Sequence, residues 1–192
     1  MKFCSHCGEG NLPYIIPEGD TRLRYVCNVC KTVHYQNPKI ICGTLPIYEG
    51  KILMCRRAIQ PRLGLWTLPA GFMENGETTP EAAQRETWEE ACARIDMEGL
   101  YCIYNLPHIS QVYLFFKGTV KNGEYGVGVE SLETKLFAIE DLPWNEMAFM
   151  TVKRTIQLFI EDSKTSFFPI RMLDILEDHA KGSIGKTVVE KG

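Results

Sequence analysis

The sequence carries three glutamates whose spacing would let them act together on a cation. Glu86, Glu89 and Glu90 stand at positions i, i+3 and i+4, so in a helix their carboxylates share one face. Like charges at this spacing cost a helix roughly 0.2–0.5 kcal/mol per pair, and a divalent cation would turn the repulsion into coordination. Mg²⁺ typically binds one or two carboxylates together with the phosphates of a substrate. By spacing alone, a solvated acidic face is an equally good interpretation.

Four cysteines form a second group that suits a metal ion. They occur as two Cys-x2-Cys pairs, Cys4 with Cys7 and Cys27 with Cys30, separated by 19 residues. Each pair places two sulfurs on one side of the backbone, and two pairs together offer a tetrahedral four-sulfur site for Zn²⁺. A redox Cys-x2-Cys normally occurs once, at a helix N-terminus in a βαβ unit, and that context is missing here. We therefore predict one structural zinc ion.

The composition is that of one folded domain with a small appendage. The 192 residues are 45% hydrophobic and carry a net charge of −3, which disfavours a disordered chain and a nucleic-acid binder. No apolar signal segment or membrane-length apolar run occurs, so we expect a cytoplasmic protein without membrane contact. In a reducing compartment the remaining cysteines are predicted to be small core residues. They are Cys42, Cys55, Cys92 and Cys102.

The elements that must position these groups are predicted from turn signals and periodicity. Thr79 is the predicted N-cap of the glutamate helix, with Pro80 at its first position and its end near Cys92. A second helix is predicted at Phe149–Asp162, and the C-terminal segment shows only one candidate strand, Phe167–Met172, before a loose tail. The other predicted strands are Leu23–Val26, a hairpin of Ile40–Tyr48 and Lys51–Arg57, Glu98–Asn105, Gln111–Val120 and Thr134–Ala138.

This succession predicts an α+β fold in which helices pack on a mixed sheet. The predicted divisions are a zinc ribbon at 1–37, a larger domain that holds the glutamate helix at 38–162 and an extension of uncertain structure at 163–192. The ribbon has too few apolar residues to fold without a staple. Its four basic and three acidic residues are too few to hold a phosphate backbone, so we interpret it as a structural module.

The segment Gly71–Ala93 resembles the Nudix box, G-x5-E-x7-R-E-U-x-E-E-x-G-U, where U is a bulky aliphatic residue. Thr87 replaces the first U, and Cys92 replaces the glycine that ends the helix, where a left-handed conformation strains cysteine. The six positions in register are Gly71, Glu77, Arg85, Glu86, Glu89 and Glu90.

The resemblance implies the role of each box residue. Glu86, Glu89 and Glu90 would bind Mg²⁺ or Mn²⁺, helped by the carbonyl of Ala70, and the metal would activate a water for attack on phosphorus. Arg85 would orient a glutamate, and Glu77 would brace the loop. A further carboxylate often comes from a distal loop in this family, and both Glu130 and Glu133 are candidates.

Substrate contacts are predicted on both sides of the box. Arg56 and Arg57 follow a strand that faces the box and are interpreted either as phosphate ligands or as ordinary surface arginines. An aromatic side chain would clamp the adenine ring, although a core role is the commoner one for such residues. The candidates for this clamp are Trp66, Trp88, Tyr104 and Tyr113.

The resemblance extends to the Nudix branch that hydrolyses FAD and ADP-ribose with release of AMP. It rests on the ribbon, on Tyr35–Pro38, on Ile59–Gly71 and on Glu130–Glu133. NADH pyrophosphatases also join a ribbon to this domain, but their Ser-Gln-Pro-Trp-Pro-Phe-Pro segment does not occur between Arg94 and Glu130. A non-catalytic nucleotide sensor and an RNA-end hydrolase fit less well, because the box keeps all its glutamates and the ribbon is only weakly basic. The resemblance also allows a homodimer.

Overall fold

A computed structural model describes residues 1–178 and 185–191, with side chains described as far as Leu176. The chain divides into two compact units, residues 1–38 and 39–192. Within the described residues no helix is long and apolar enough to cross a membrane.

The first unit is a small antiparallel sheet with a minimal core. Its strands are β1 (Tyr14–Ile15), β2 (Arg24–Val26) and β3 (Val33–His34), with β2 in the middle. The buried residues of its core are Cys4, Leu12 and Cys27. Two of these three are members of the cysteine pairs, so the sulfurs form much of what little interior this unit has.

The second unit is built on one mixed sheet. Its strands are β4 (Lys39–Tyr48), β5 (Lys51–Arg57), β6 (Trp66–Thr67), β7 (Ala70–Phe72), β8 (Ile95–Leu106), β9 (Gln111–Val120), β10 (Ser131–Phe137), β11 (Arg171–Asp178) and β12 (Gly185–Lys191). They run in the order β10-β5-β4-β9-β8-β11-β12, with β6 on β5 and β7 on β4. The pairs β4–β9 and β8–β11 are parallel and the others are antiparallel.

Two helices, α1 (Thr79–Ala91) and α2 (Met150–Ser163), cover opposite faces of this sheet. The alternation of strand β5 separates the two faces: Ile52 and Met54 belong to the core under α2, whereas Leu53 and Cys55 pack with the end of α1. The predicted α+β fold, with a mixed sheet between helices, is thereby confirmed.

Helix α2 is tied to the sheet by buried polar contacts. Asp162 accepts hydrogen bonds from the Tyr101 hydroxyl (2.6 Å) and from both terminal nitrogens of Arg171 (2.5 and 2.6 Å). One helix carboxylate therefore joins β8 and β11, the two strands of a parallel pair that are far apart in sequence.

The structure corrects several boundaries that were predicted from the sequence. The N-cap of α1 is Thr78 rather than Thr79, and Pro80 lies one position further into the helix. The C-terminal strand is Arg171–Asp178 rather than Phe167–Met172, and β12 follows where a loose tail was predicted. The two-residue and three-residue strands β6 and β7 were missed because they are too short to show a periodic pattern.

Cys42, Cys55 and Cys102 are fully buried, as predicted for small core residues. Cys92 is the exception. It is only partly buried, because it lies at the C-cap of α1.

Candidate functional site

The second unit contains a cleft of about 1510 Å³ between the glutamate helix and the first turn of α2. Three walls meet there: the face of α1, the loop that precedes β10, and the segment from Trp144 to Lys153. The carboxylates that line the cleft are Glu74, Glu86, Glu89, Glu90 and Glu130. A cavity with five carboxylates on its lining has the donor chemistry for a hard divalent cation.

The start of α1 is held by a reciprocal cap. The Thr78 hydroxyl accepts a hydrogen bond from the Glu81 N–H (3.4 Å), and the Glu81 carboxylate accepts one from the Thr78 N–H (2.8 Å). This capping box gives hydrogen-bond acceptors to two backbone N–H groups that would otherwise have no partner at the end of the helix. It also places an acidic side chain at the positive end of the helix dipole.

The end of α1 shows how cysteine replaces the glycine of the box. Cys92 adopts the left-handed conformation (φ 48°, ψ 29°), and its N–H donates to the Trp88 carbonyl (2.8 Å). Such a conformation costs a non-glycine residue of order 1–3 kcal/mol, and surrounding contacts must hold it. Those contacts come from the loop before β10, where the Gly126 N–H donates to the Ala91 carbonyl (2.7 Å), and from the first residue of β10, where the Ser131 hydroxyl donates to the Glu90 carbonyl (2.8 Å).

Arg85 is the hub of the carboxylate face. It donates to Glu77 through two nitrogens (2.5 and 3.0 Å), to Glu86 (2.7 Å) and to Glu89 (3.0 Å), and also to the Phe72 carbonyl (3.0 Å). The hydrogen bond from Arg85 lowers the pKa of Glu77 to about 2, so this pair is charged at neutral pH. Glu77 therefore holds Arg85 in place, and Arg85 in turn orients Glu86 and Glu89, two of the three glutamates proposed to bind the cation.

Glu86 and Glu90 are held in an environment that penalises their charge. Burial raises the pKa of Glu90 to about 8, although a hydrogen bond from the Ala70 N–H (3.2 Å) opposes the shift. Burial also raises the pKa of Glu86. Two desolvated carboxylates on one helix face lack sufficient positive compensation from the protein, and a divalent cation would supply it. The residues present therefore fit such a cation.

Thr87 is a hydroxyl residue at a position where the box has an aliphatic one, and the contacts of its hydroxyl group explain why it is tolerated there. It is fully buried, and its Oγ1 lies 2.7 Å from the Ala83 carbonyl and 2.7 Å from Oγ1 of Thr44 on β4. Both hydroxyls are thus paired, as buried polar groups must be. The contact joins the middle of α1 to the strand beneath it.

The structure separates the two candidates for the distal carboxylate. Glu130 lines the cleft, and its charge contributes to raising the pKa of both Glu86 and Glu90. Its carbonyl accepts the Ala58 N–H (2.8 Å), which holds this loop beside β5. Glu133 instead pairs with Arg56 (3.8 Å), with both side chains nearly half exposed, and it is not among the residues that line the cleft.

Of the two arginines predicted as possible phosphate ligands, one lines the cleft and the other does not. Arg57 lines the cleft, and its guanidinium lies 5.3 Å from the Phe149 ring centroid. Arg56 is turned away, donating to the Gly64 carbonyl (2.9 Å). Ala70 also lines the cleft, next to Glu90.

Only two of the four candidate clamps face the cleft. Trp66 is buried against the Phe137 ring, and Tyr104 is buried against Thr155, so both belong to the core. Tyr113 lines the cleft and is half buried, whereas Trp88 lines it from α1 and is more exposed. We therefore do not retain Trp66 as a substrate-binding residue.

The first turn of α2 is the part of the cleft that was not predicted. Phe149, Met150, Thr151 and Lys153 all line it, although they lie about 60 residues beyond the glutamates. The sequence predicts a helix here but gives no sign that it reaches the cleft, and its N-cap residue, Phe149, provides no capping side chain.

The four cysteines of the first unit converge as their spacing predicts. Their sulfurs all lie within 4.8 Å of one another, with Cys4–Cys30 at 3.6 Å and Cys7–Cys27 at 3.5 Å. A tetrahedron with Zn–S bonds of about 2.3 Å has sulfurs about 3.8 Å apart, so the cluster needs little adjustment to hold zinc. Hydrogen bonds from Thr32 lower the pKa of the Cys30 thiol to about 6. For Cys7, a backbone hydrogen bond with Glu9 lowers the pKa, but desolvation and hydrogen bonds with the other three cysteines outweigh it and raise the pKa to about 12. A bound cation would favour the thiolate form of all four.

A mixed sheet between two helices, with a glutamate-lined cleft and a four-cysteine ribbon, defines the class of Nudix-type hydrolases. The chain belongs to the Nudix family: the NUDIX domain model matches residues 40–158, and the model described as Nudix N-terminal, a zinc ribbon, matches residues 2–36.

Individual relatives agree with this assignment. A crystal structure of a NUDIX hydrolase from Nitrosomonas europaea has 47% sequence identity and a TM-score of 0.85, covering 91% of this chain and 99% of that one. The ADP-ribose pyrophosphatase of Methanocaldococcus jannaschii is 30% identical over 115 residues, which is 57% of this chain and 67% of that protein.

A third relative is the NAD-capped RNA hydrolase NudC of Salmonella heidelberg. It is 28% identical over 144 residues, or 74% of this chain. The chain spans about half the length of this relative, 53%.

Proposed function

We propose that this enzyme hydrolyses the diphosphate bond of nucleoside-diphosphate-linked compounds, that it requires Mg²⁺ or Mn²⁺, and that its substrates are ADP-ribose and FAD. The observation that carries the proposal is a pair of desolvated carboxylates on the wall of a large cleft, Glu90 buried and Glu86 partly buried. A group with a raised pKa beside a specific charge partner in a cleft is a strong candidate for a functional site.

The roles of the residues follow from their places on the cleft walls. Glu86, Glu89 and Glu90 would hold the metal, and Glu130 adds a fourth carboxylate from the opposite loop. The bound cation would supply a Lewis acid for the phosphoryl oxygens and would activate a water. Arg85 positions the box carboxylates through its contacts to Glu86 and Glu89.

The opposite wall provides contacts for the rest of the substrate. Arg57 is a cation that can reach the diphosphate, since it lines the cleft and lies over the Phe149 ring. The aromatic rings of Tyr113 and Phe149 offer flat surfaces for the groups that flank the diphosphate. A volume of about 1510 Å³ exceeds that of an ordinary ligand pocket, which suits a dinucleotide-sized substrate.

The choice of substrate rests on the relatives. The archaeal relative named ADP-ribose pyrophosphatase supports ADP-ribose. FAD shares the AMP half of that molecule and is supported by the extended sequence resemblance. The match to NudC over 74% of this chain favours a second candidate, an NADH or NAD-cap pyrophosphatase.

A substrate panel tests the assignment. The measured quantity is kcat/KM with Mg²⁺ for ADP-ribose, FAD, NADH, an NAD-capped RNA, diadenosine polyphosphates and nucleoside triphosphates. We expect ADP-ribose and FAD to lead, with AMP as a product of both. A tenfold lead of NADH or NAD-capped RNA would select the second candidate, and a tenfold lead of a triphosphate would contradict both.

The same panel with the Glu86→Gln variant provides the control for contaminating activity. Hydrolysis that persists in this variant at the parental rate would not come from the site described here.

A further inference from the structure

Helix α2 begins in the cleft without a cap. Its N-cap residue, Phe149, provides no side-chain hydrogen bond, and no acidic residue occurs in its first turn. The first N–H groups of an α-helix have no intrahelical partner and carry a partial positive charge. In this 14-residue helix they belong to a turn that lines the same cleft as the carboxylates, where a bound anion would satisfy them.

A buried hydroxyl at the same place also lacks a partner. Thr151 lines the cleft and is only 2% exposed, and its Oγ1 makes no hydrogen bond within the part of the chain that the structure describes. The Thr155 hydroxyl, one turn later, is paired with Tyr104. Buried hydroxyls in folded proteins are nearly always paired, so an isolated one at a cleft indicates a ligand.

Two cations complete this wall. Lys153 lies in the first turn, where its charge opposes the helix dipole, and it forms no ion pair among the described residues. Arg57 uses Nε to donate to the Pro61 carbonyl (2.8 Å) and stacks on Phe149. No described residue accepts a hydrogen bond from its terminal nitrogens, which leaves both for a ligand. The wall thus combines unsatisfied donors with uncompensated positive charge.

We propose that the first turn of α2, together with Thr151, Lys153 and Arg57, binds the phosphate that departs when the diphosphate is cleaved. This inference rests on the proposed function. Water adds to the phosphorus nearer the glutamates, the bond from that phosphorus to the bridging oxygen breaks, and the bridging oxygen leaves with the second phosphate. The products are two phosphate monoesters and two protons.

The charge of the departing phosphate rises from about −1 to about −2 in this step. A helix N-terminus and two cations interact more strongly with the dianion than with the monoanion. The α2 site therefore stabilises the leaving group as its charge develops, while the glutamate wall holds the attacked phosphate. Such differential stabilisation accelerates the reaction, whereas equal binding of both forms would not.

Binding of phosphate without any divalent metal tests the site apart from catalysis. AMP and inorganic phosphate are titrated by calorimetry into the full-length protein and into the variants Thr151→Val and Lys153→Gln, with no Mg²⁺ or Mn²⁺ added. We expect each variant to bind both probes about tenfold more weakly, the loss typical of a charge-assisted hydrogen bond. The matched control is Lys164→Gln, which removes the same charge at the other end of α2 and should bind like the parent.

Stability provides a readout that a merely structural role would not produce. Thr151→Val removes an unpaired hydroxyl and Lys153→Gln removes a misplaced cation, so both variants should have an equal or higher Tm than the parent without ligand. Parental affinity for AMP and phosphate in both variants would overturn the proposal, and so would a lower Tm with unchanged affinity.

The activity arm separates this proposal from the proposed function. In the two variants, kcat/KM should fall for ADP-ribose and for FAD alike. An effect confined to substrates with an additional phosphate monoester, such as NADPH compared with NADH, would overturn the assignment to the departing phosphate. An enzyme that cleaves none of the panel but shows the expected phosphate binding would contradict the proposed function and leave the anion site supported.

Discussion

Gly71 lies directly against the carboxylate of Glu86, so that a Cβ at position 71 would overlap with the carboxylate atoms of that glutamate. Gly71 belongs to β7, and Glu86 belongs to α1. The glycine of the box is therefore required here for space, since its backbone does not adopt a positive φ. The contact fixes how close the helix and its carboxylate face come to the strand.

Gly71→Ala should impair catalysis while leaving the protein folded. The added methyl meets the end of a flexible side chain, so Glu86 can move aside, but it then leaves the geometry that a metal requires. We expect kcat/KM to fall at least about tenfold while unfolding free energy falls by about 1–2 kcal/mol. Steady-state kinetics and urea denaturation measure the two effects.

Gly128→Ala is the contrasting variant. A Cβ there would overlap with the backbone carbonyl of Glu89, which cannot rotate away. This variant should lose more stability than Gly71→Ala. The reverse order would contradict the view that the side chain near Gly71 can move aside and the backbone near Gly128 cannot.

Glu90→Gln should abolish turnover and leave the fold intact. The amide keeps the size of the side chain and can still accept the Ala70 N–H, while the charge that burial disfavours is removed. Without added Mg²⁺ the variant should therefore be as stable as the parent or more stable. Loss of a metal ligand should lower kcat at least about 100-fold, or about 2.7 kcal/mol of barrier. A variant that keeps more than about a tenth of parental kcat would exclude Glu90 as a ligand.

Glu130→Gln and Glu133→Gln form a matched pair that tests which distal carboxylate is functional. Glu130 lines the cleft near Glu86 and Glu90, so its loss should lower kcat with Mg²⁺ about tenfold or more. Glu133 makes only an exposed pair with Arg56, and exposed pairs contribute about 0–1 kcal/mol. Its variant should retain activity within about twofold. If the two variants lose kcat equally, the position of Glu130 on the cleft lining does not make it more important for catalysis than Glu133.

Asp162→Asn should destabilise the protein in a pH-dependent way. Burial opposes ionisation of Asp162, but hydrogen bonds from Arg171 and Tyr101 outweigh it, so the pKa of Asp162 lies below its ordinary value. A depressed carboxyl pKa contributes stability that is complete above the unfolded-state pKa, about 4, and is lost as the pH falls through the folded-state pKa.

The variant should thus be less stable than the parent by about 3 kcal/mol at pH 7, and the difference should shrink below about pH 4. Thermal unfolding at pH 7 and pH 3 measures it. The control is Asp96→Asn, which removes an exposed pair with Lys121 and should change stability by less than about 1 kcal/mol. A difference between Asp162→Asn and the parent that stays constant with pH would mean that ionisation of Asp162 does not stabilise the fold.

The ribbon should contain one tightly held zinc ion per chain and should lose its fold without it. The four sulfurs are already gathered, and the small core of this unit cannot stabilise it alone. Elemental analysis of protein purified without added metal should give a zinc-to-chain ratio near one. Cys7→Ser should lower this ratio, whereas Cys92→Ser, outside the ribbon, should leave it unchanged. A ribbon that persists after exhaustive chelation, followed by NMR or limited proteolysis, would contradict a structural zinc.

The carboxylate face of α1 and the four-cysteine cluster could be predicted from the sequence because both depend on short-range geometry. Three glutamates at i, i+3 and i+4 share a helix face whatever the helix packs against, and a Cys-x2-Cys pair turns its sulfurs together within one loop. The hairpin of β4 and β5 was predictable for the same reason, because its turn is also a local feature. The turn lies at Glu49 and Gly50, and both residues adopt a positive φ there.

The opposite wall of the cleft was decided by the tertiary structure alone. A register shift between Ser131 and Glu133 leaves Glu133 beside Arg56, whereas Glu130 stays in the loop that lines the cleft, and three residues of sequence do not reveal that difference. Trp66 is buried on Phe137, and Thr151 reaches the cleft from a helix some 60 residues beyond the box. Periodicity determines which residues share a face of one element, but only long-range pairing and packing determine what that face meets.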